Sequence, residues 1–171
     1  NAATAIAAVR LLLGPGADLA ALAHVARVAC LPGRFDRRRF RGRELILDVA
    51  HNPHGAGFLA DQLRAAPCGG STIAVMGCLK DKDASGIVAA LDGVVKEWIF
   101  VTTLTPRGQS GEDLFARLTI ASGMAGGSLE SGIIMAMERA GAIDRIVVLG
   151  SFDVVERASA IVDGCVGDSA S

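Results

Sequence analysis

The segment Asp48–His54 brings a carboxylate, two imidazoles and the expected start of a helix into one short loop. It follows the apolar run Leu45–Leu47, which is typical of a buried strand. Asn52 is a favourable N-cap residue, and Pro53 suits the first position of a helix. In open α/β sheets, ligands bind beyond the carboxyl ends of the strands and frequently against helix N-termini. We therefore expect this loop to bind a ligand, although an ordinary strand-to-helix turn would contain the same residue types.

Ionisable residues also follow the other predicted strands. Together with the first loop they comprise Asp48, His51, His54, Lys80, Asp81, Lys82, Asp83, Arg107 and Asp153. These groups suit ligand binding better than bond-making, because no P-loop, no Gly-x-Gly-x-x-Gly motif and no nucleophile elbow accompanies them. We therefore assign no catalytic residue and no metal ligand within this chain.

The elements that must position these groups follow a regular order. Strands are predicted around Leu45–Leu47, Ser71–Met76, Trp98–Thr103 and Arg145–Leu149. Each is followed by a loop and a helical pattern, which predicts an α/β fold with a mostly parallel, Rossmann-like sheet flanked by helices on both faces. Since parallel strands point the same way, the loops that follow them should share one edge. Gly123–Gly127 is predicted to be a flexible linker, because no convincing strand precedes it.

Two predicted helices carry apolar residues at helical spacing. In the first, Phe58, Leu59 and Leu63 are expected on one helical face. In the second, which Ser128 should cap, the expected face consists of Ile133, Ile134, Met137 and Ala140.

The chain is predicted to have two parts. Residues 1–30 contain two helical patterns separated by Gly14-Pro15-Gly16, and the boundary falls within Leu31–Phe35. Residues 31–171 form the α/β domain. Five arginines occur within Asp36–Arg43, where a hairpin with its turn at Arg41-Gly42 is expected, mostly solvated.

Composition narrows the class of protein. The 171 residues are 51% hydrophobic and 20% charged with a net charge of −1, as expected for a globular protein without a nucleic-acid or anionic-membrane partner. No apolar run approaches the roughly 20 residues of a membrane span. The four cysteines lack the close spacing of a zinc site, which favours reduced thiols in the cytoplasm. Because the chain starts at Asn1 directly in a helical pattern, we interpret it as a fragment of a longer protein.

Several separated motifs, in the same order, resemble those of the folylpolyglutamate synthase and dihydrofolate synthase family of the Mur ligase superfamily. They are Asn1-Ala2-Ala3-Thr4-Ala5, Leu31-Pro32-Gly33-Arg34-Phe35, Asp48–His54, Leu79–Asp83, Pro106-Arg107-Gly108 and Gly150-Ser151-Phe152. The resemblance covers nearly the whole chain. It implies a Mur ligase C-terminal domain preceded by a short helical segment from the N-terminal ATPase domain.

The resemblance also implies an activity. Members of this family use ATP and Mg²⁺ to phosphorylate a carboxylate, and the amine of L-glutamate then attacks the acyl phosphate of dihydropteroate or a folate. Carried over to this sequence, ATP would contact Asn1, Arg34 and Asp48, and glutamate would contact His51 and Ser151. The possible rim residues are Lys80, Asp81, Lys82, Asp83 and Arg107.

The chain departs from the family pattern in two respects. Asp153 stands where the family has a histidine, and capping of the last helix is its alternative role. The P-loop and the magnesium ligands of the family lie outside this chain, so we expect the fragment alone to be inactive and to need its own N-terminal ATPase domain. The sequence is also compatible with a Mur-type cell-wall ligase domain and with a non-enzymatic Rossmann-like nucleotide-binding module.

Overall fold

The computed structural model describes residues 2–14, 16–28, 31–120 and 122–166, and the chain divides into the units Asn1–Leu31 and Pro32–Ser171. The first unit contains helices α1 (Ala2–Leu13) and α2 (Leu19–Val28). Asp18 caps α2, since its Oδ1 accepts a hydrogen bond from the amide of Ala20 at 2.9 Å. Within the described ranges, no helix has both the length and the apolarity needed to cross a membrane. Asn1 lies outside the described residues.

The second unit is an α/β domain built on one six-stranded sheet. Its elements are β1 (Asp36–Phe40), β2 (Arg43–Asp48), α3 (Pro53–Ala65), β3 (Thr72–Met76), α4 (Ala84–Ala90), β4 (Glu97–Val101), α5 (Gly111–Ala116), β5 (Gly123–Gly127), α6 (Leu129–Arg139), β6 (Arg145–Leu149) and α7 (Phe152–Val166). The strand order is β1-β2-β6-β3-β4-β5. Among the strands of the described residues, the hairpin pair of β1 and β2 is antiparallel and the other pairs are parallel. The predicted fold class is therefore confirmed.

The sheet is covered on both faces because the middle and later positions of its central strands are apolar on both sides. All five residues of β6 are buried, and alternate residues enter different clusters. Ile146 and Val148 pack with α6 and α7 on one face, whereas Val147 and Leu149 pack with α3 and α4 on the other. This two-sided burial fixes the register, since a shift by one residue would exchange the two sets of side chains.

The prediction that Gly123–Gly127 is a flexible linker is wrong. This segment is the edge strand β5, paired in parallel with β4. A Cβ atom on Gly126 would lie 2.5 Å from Ile99 Cγ2 and 3.1 Å from Gly132 Cα, so the glycine allows a close approach of strand and helix. Such a strand lacks the β-branched and aromatic pattern from which strands are predicted.

The residues placed on one face of each helix differ in burial. Leu59 and Leu63 are each 1% exposed, but Phe58 is 60% exposed and packs edge-on against the His54 ring at 4.8 Å between centroids. On α6, Ile133 is buried and Ile134 is 52% exposed. Consecutive helical residues are about 100° apart, so the narrow contact with the sheet buries only one member of each pair.

Candidate functional site

The loops after β2, β3, β4 and β6 meet at the carboxyl edge of the sheet. They enclose a cavity of about 300 Å³. Its lining residues are His51, Leu79, Lys82, Thr105, Arg107, Gly150, Ser151, Phe152 and Asp153. Four of the predicted site residues therefore contribute to one cavity, hereafter the edge cavity. The other predicted rim residues, Lys80, Asp81 and Asp83, belong to the same loop as Lys82 but do not line the edge cavity.

A larger cavity of about 450 Å³ lies elsewhere, between α4 and the segment that follows α5. Val88, Trp98 and Ile120 are among its lining residues. It contains none of the predicted site residues and lies at the start of β4 instead of the carboxyl edge. We therefore place the candidate site at the edge cavity despite its smaller volume.

Asp48 lies at the end of β2 and fastens two loops to the sheet. It is 6% exposed. Its Oδ2 accepts a hydrogen bond from the amide of Phe35 at 2.8 Å, and its Oδ1 accepts one from the amide of Ala50 at 2.8 Å. Burial raises the pKa of this carboxyl, while the two amides and the charge of Arg34 act in the opposite direction. The carboxylate thus holds the Gly33–Phe35 junction against the strand end.

Arg34 is presented to solvent by an unusual backbone. Gly33 has a φ of +68°, and Phe35 is a non-glycine residue with a φ of +45°. A Cβ atom on Gly33 would lie 2.9 Å from Val155 Cγ1, so α7 leaves no room for a side chain there. The amide of Val49 donates to the carbonyl of Gly33 at 2.9 Å and completes the attachment. The Pro-Gly-Arg-Phe sequence therefore has a structural reason for its glycine.

Arg34, Phe152 and His51 form a row beside the edge cavity. The guanidinium of Arg34 lies 5.9 Å from the centroid of the Phe152 ring. That ring is 61% exposed and lies 5.8 Å from the His51 ring. Cation–π attraction favours the first contact. A cation and two planar rings thus share one exposed surface, which suits a planar, anionic ligand.

His51 and Ser151 are both oriented by the backbone. The Nδ1 of His51 lies 2.8 Å from the carbonyl of Val49, so the neutral ring carries its proton on Nδ1 and leaves Nε2 as an acceptor. Ser151 is 4% exposed, and its Oγ accepts from the amide of Val154 at 3.2 Å. Ser151, not Asp153, therefore caps α7, and its hydroxyl proton stays available to a ligand.

The segment Leu79–Asp83, hereafter the rim loop, is held by its own carboxylates and by Arg107 from the loop after β4. Asp83 caps α4, because its Oδ1 accepts from the amide of Gly86 at 2.8 Å. Asp81 Oδ2 lies 3.2 Å from Arg107 Nη1 and 3.9 Å from Lys82 Nζ. The two cations of the edge cavity are thus linked to one exposed carboxylate. The amide of Lys80 donates to the carbonyl of Arg107 at 3.1 Å, which joins the rim loop to the loop after β4.

The sequence analysis did not identify Gln109, whose buried side chain also joins the loop after β3 to the loop after β4. It is 5% exposed, and its Nε2 donates to the carbonyl of Cys78 at 2.8 Å. Its Oε1 accepts from Arg117 Nη1 at 2.9 Å, and its amide donates to Thr103 Oγ1 at 2.9 Å. A single glutamine in a polar loop carries no pattern that predicts burial, so no sequence signal could have identified it.

Replacing Gln109 by alanine should loosen both loops. The change leaves the Cys78 carbonyl and the Arg117 guanidinium without their buried partner, which costs about 1–3 kcal/mol. We expect a corresponding loss in the free energy of unfolding in urea and faster amide exchange in Lys80–Asp83. Gln62→Ala, at an exposed position on α3, should change stability by less than about 0.5 kcal/mol. Equal effects of both substitutions would contradict this role of Gln109.

The described residues offer binding groups and little bond-making chemistry. They contain no group of three or more His, Cys, Asp or Glu residues arranged to hold a metal ion. Burial raises the pKa of the Cys78 thiol to about 11, so it stays protonated near neutral pH and is a poor nucleophile. The edge cavity instead combines Lys82, Arg107, a serine hydroxyl and an imidazole acceptor.

Comparison with known proteins gives a consistent result. The family model described as "Mur ligase, glutamate ligase domain" matches residues 33–152. The chain is 38% identical over 165 residues to dihydrofolate synthase/folylpolyglutamate synthase of Escherichia coli K12. The alignment covers 95% of this chain and 38% of that protein. The chain thus spans well under half the length of this curated relative.

Solved structures agree with the sequence matches. E. coli FolC in complex with DHPP and ADP has a TM-score of 0.82 at 36% identity, over 95% of this chain and 38% of that one. A bifunctional folylpolyglutamate synthase/dihydrofolate synthase with Mn, AMPPNP and L-glutamate bound has a TM-score of 0.70 at 36% identity, over 84% of this chain and 35% of that one.

Proposed function

This chain belongs to the Mur ligase family as its glutamate ligase domain, and on that premise we propose that it forms the C-terminal part of a dihydrofolate synthase/folylpolyglutamate synthase. The complete enzyme would join L-glutamate to dihydropteroate and to tetrahydrofolates at the expense of ATP. The observation that carries this proposal is the coincidence of the sequence motifs with one sheet edge. Arg34, His51 and Ser151 come from three separate motifs and converge beside the edge cavity.

We propose that Arg34 and Asp48 bind ATP. Arg34 is exposed, and no ion pair among the described residues includes it, so its charge is available to a phosphate group. ATP supplies the phosphoryl group that converts the substrate carboxylate into a better electrophile. Arg34 would offset the charge that develops during this transfer. Each oxygen of Asp48 keeps a lone pair for a ribose hydroxyl. Asn1, the third proposed ATP contact, lies outside the described residues.

We assign the incoming glutamate to the edge cavity, with His51 and Ser151 as direct contacts and the rim residues around them. The Nε2 of His51 can accept a hydrogen bond, and the hydroxyl of Ser151 can donate one. The relative with L-glutamate bound supports an amino-acid site in this family. Lys82 and Arg107 add positive charge that favours a dicarboxylate.

The proposal includes an N-terminal ATPase domain that provides the P-loop and the Mg²⁺ ligands. Leu11 and Leu12 on α1 are 88% and 85% exposed, and apolar surface of this kind is usually covered by protein. The relatives with a manganese ion and AMPPNP support a divalent metal beside the nucleotide. The free thiols of Cys68 and Cys78 fit a reducing compartment, so we include a cytoplasmic location.

The test is the release of ADP by the chain alone and by the complete protein that contains it. We expect the complete protein to release ADP only when dihydropteroate and L-glutamate are both present with ATP and Mg²⁺. The isolated chain should release none, since it lacks a P-loop. Turnover by the isolated chain would contradict the proposal that a separate N-terminal ATPase domain provides the P-loop and the Mg²⁺ ligands. Turnover with a muramyl-peptide precursor in place of dihydropteroate would contradict the folate assignment.

A further inference from the structure

We propose that Asp153 binds the amino group of the incoming dicarboxylic amino acid, an assignment that rests on the ligase function proposed above. Asp153 occupies the first turn of α7 and lines the edge cavity together with Ser151 and Phe152. Among the described residues that line this cavity, it is the only acid.

The charges of the edge cavity match the charges of such a ligand. A dicarboxylic amino acid carries two carboxylates and one ammonium group. The cavity presents Lys82 and Arg107 as cations and Asp153 as an anion. A dicarboxylate that lacks an amine would place no positive group near Asp153, and repulsion between like charges would disfavour its binding. The cavity therefore selects for the amine as well as for the acids.

Asp153 is held in place but keeps an open oxygen. Its Oδ2 accepts a hydrogen bond from the amide of Leu104 at 3.3 Å and lies 3.8 Å from Arg157 Nη1. Arg157 also pairs with Glu130 at 3.0 Å, so its charge is shared between two carboxylates. No described contact uses Asp153 Oδ1. The Asp153 side chain is 22% exposed, so its carboxylate is partly shielded from water, which strengthens its attraction for a cation.

Thr105 provides a second, independent sign of a polar ligand. Its Oγ1 is buried and has no hydrogen-bond partner among the described residues, although Thr105 lines the same cavity as Asp153. Buried hydroxyl groups are nearly always paired. Rotation of the Thr105 side chain towards a ligand amine or carboxylate in the edge cavity would give this hydroxyl a partner.

The test uses the complete ligase and the substitution Asp153→Asn. Asparagine keeps the shape and can still accept from the Leu104 amide, but it removes the charge. We expect the KM for L-glutamate to rise by on the order of tenfold to a hundredfold, the range for a hydrogen bond to a charged group, while the KM for ATP stays unchanged. Glutarate has both carboxylates and no amine, so its inhibition constant should not rise.

The matched control is Glu156→Gln, which removes an exposed carboxylate on the same helix outside the cavity. It should leave both KM values and the inhibition constant of glutarate within about twofold, as for an exposed surface charge. Calorimetric binding of L-glutamate and glutarate gives the same comparison without turnover, and their affinity ratio does not depend on how much variant is folded. An unchanged ratio in Asp153→Asn would overturn the inference. Absence of dihydropteroate-dependent ADP release in the unmodified protein would instead overturn the proposed function.

Discussion

Replacing Arg34 by alanine is expected to lower the turnover number of the complete ligase by about 10²–10³-fold, the usual cost of removing one preorganised group that stabilises transition-state charge. The side chain is exposed, so its removal creates no cavity in the core. The backbone that presents it is held by Gly33 and Asp48, whose hydrogen bonds are made by main-chain and carboxylate atoms. The loss should therefore be catalytic and not a loss of folded protein. It is measured as the rate of ADP release at saturating substrates.

Arg41→Ala provides the control, because it removes the same charge from the turn of the β1–β2 hairpin. The guanidinium of Arg41 lies 5.4 Å from the centroid of the neighbouring Phe40 ring. Its substitution should leave turnover within about twofold, as for other exposed charges. If Arg34→Ala kept at least half of the original turnover, Arg34 could not be the group that offsets phosphoryl charge. If both substitutions slowed turnover equally, a general effect of net charge would explain the result.

The parts of the fold that could be predicted are those specified by local sequence patterns. The four buried strands combine apolar runs with clear helix starts, and the shared edge follows from their parallel direction. Strand β5 could not be found this way, because its place depends on how closely Gly126 lets it approach Ile99 on the neighbouring strand. The exposure of Phe58 could not be predicted for a related reason. Periodicity gives the face of a helix but not the width of the surface that the sheet covers.

The candidate site likewise has features that local sequence predicts and features that depend on the complete fold. The loops carrying His51 and Ser151 could be assigned to one edge from the sequence, but the row that Arg34 and Phe152 form with His51 could not. His51 follows β2 and Phe152 follows β6, and these strands are neighbours only because the strand order is β1-β2-β6-β3-β4-β5. Strand order depends on long-range packing, which a single sequence does not display. Gln109 is likewise defined only by the partners that the fold brings to it.

The substitution Gly150→Ala should have the largest effect on stability, a loss of about 3–5 kcal/mol in the free energy of unfolding. Gly150 has a φ of +108°, a conformation that side chains rarely adopt, and an added Cβ would lie 2.5 Å from the carbonyl oxygen of Gly77. Backbone strain costs about 1–3 kcal/mol and overpacking a similar amount. Relief of the clash would separate the ends of β3 and β6, where the amide of Gly77 donates to the carbonyl of Leu149 at 3.1 Å.

Gly57→Ala is the matched control, since an added Cβ would meet nothing within 4 Å on helix α3. Alanine favours the helix over glycine by about 0.5–1 kcal/mol, so this variant should be slightly more stable than the unmodified chain. Urea unfolding of both variants would thus give shifts of opposite sign from the same chemical change. Should Gly150→Ala unfold at the same urea concentration as the unmodified chain, the ends of β3 and β6 would have to separate without cost. The edge cavity could then not be the rigid binding surface on which the roles of Ser151 and Asp153 depend.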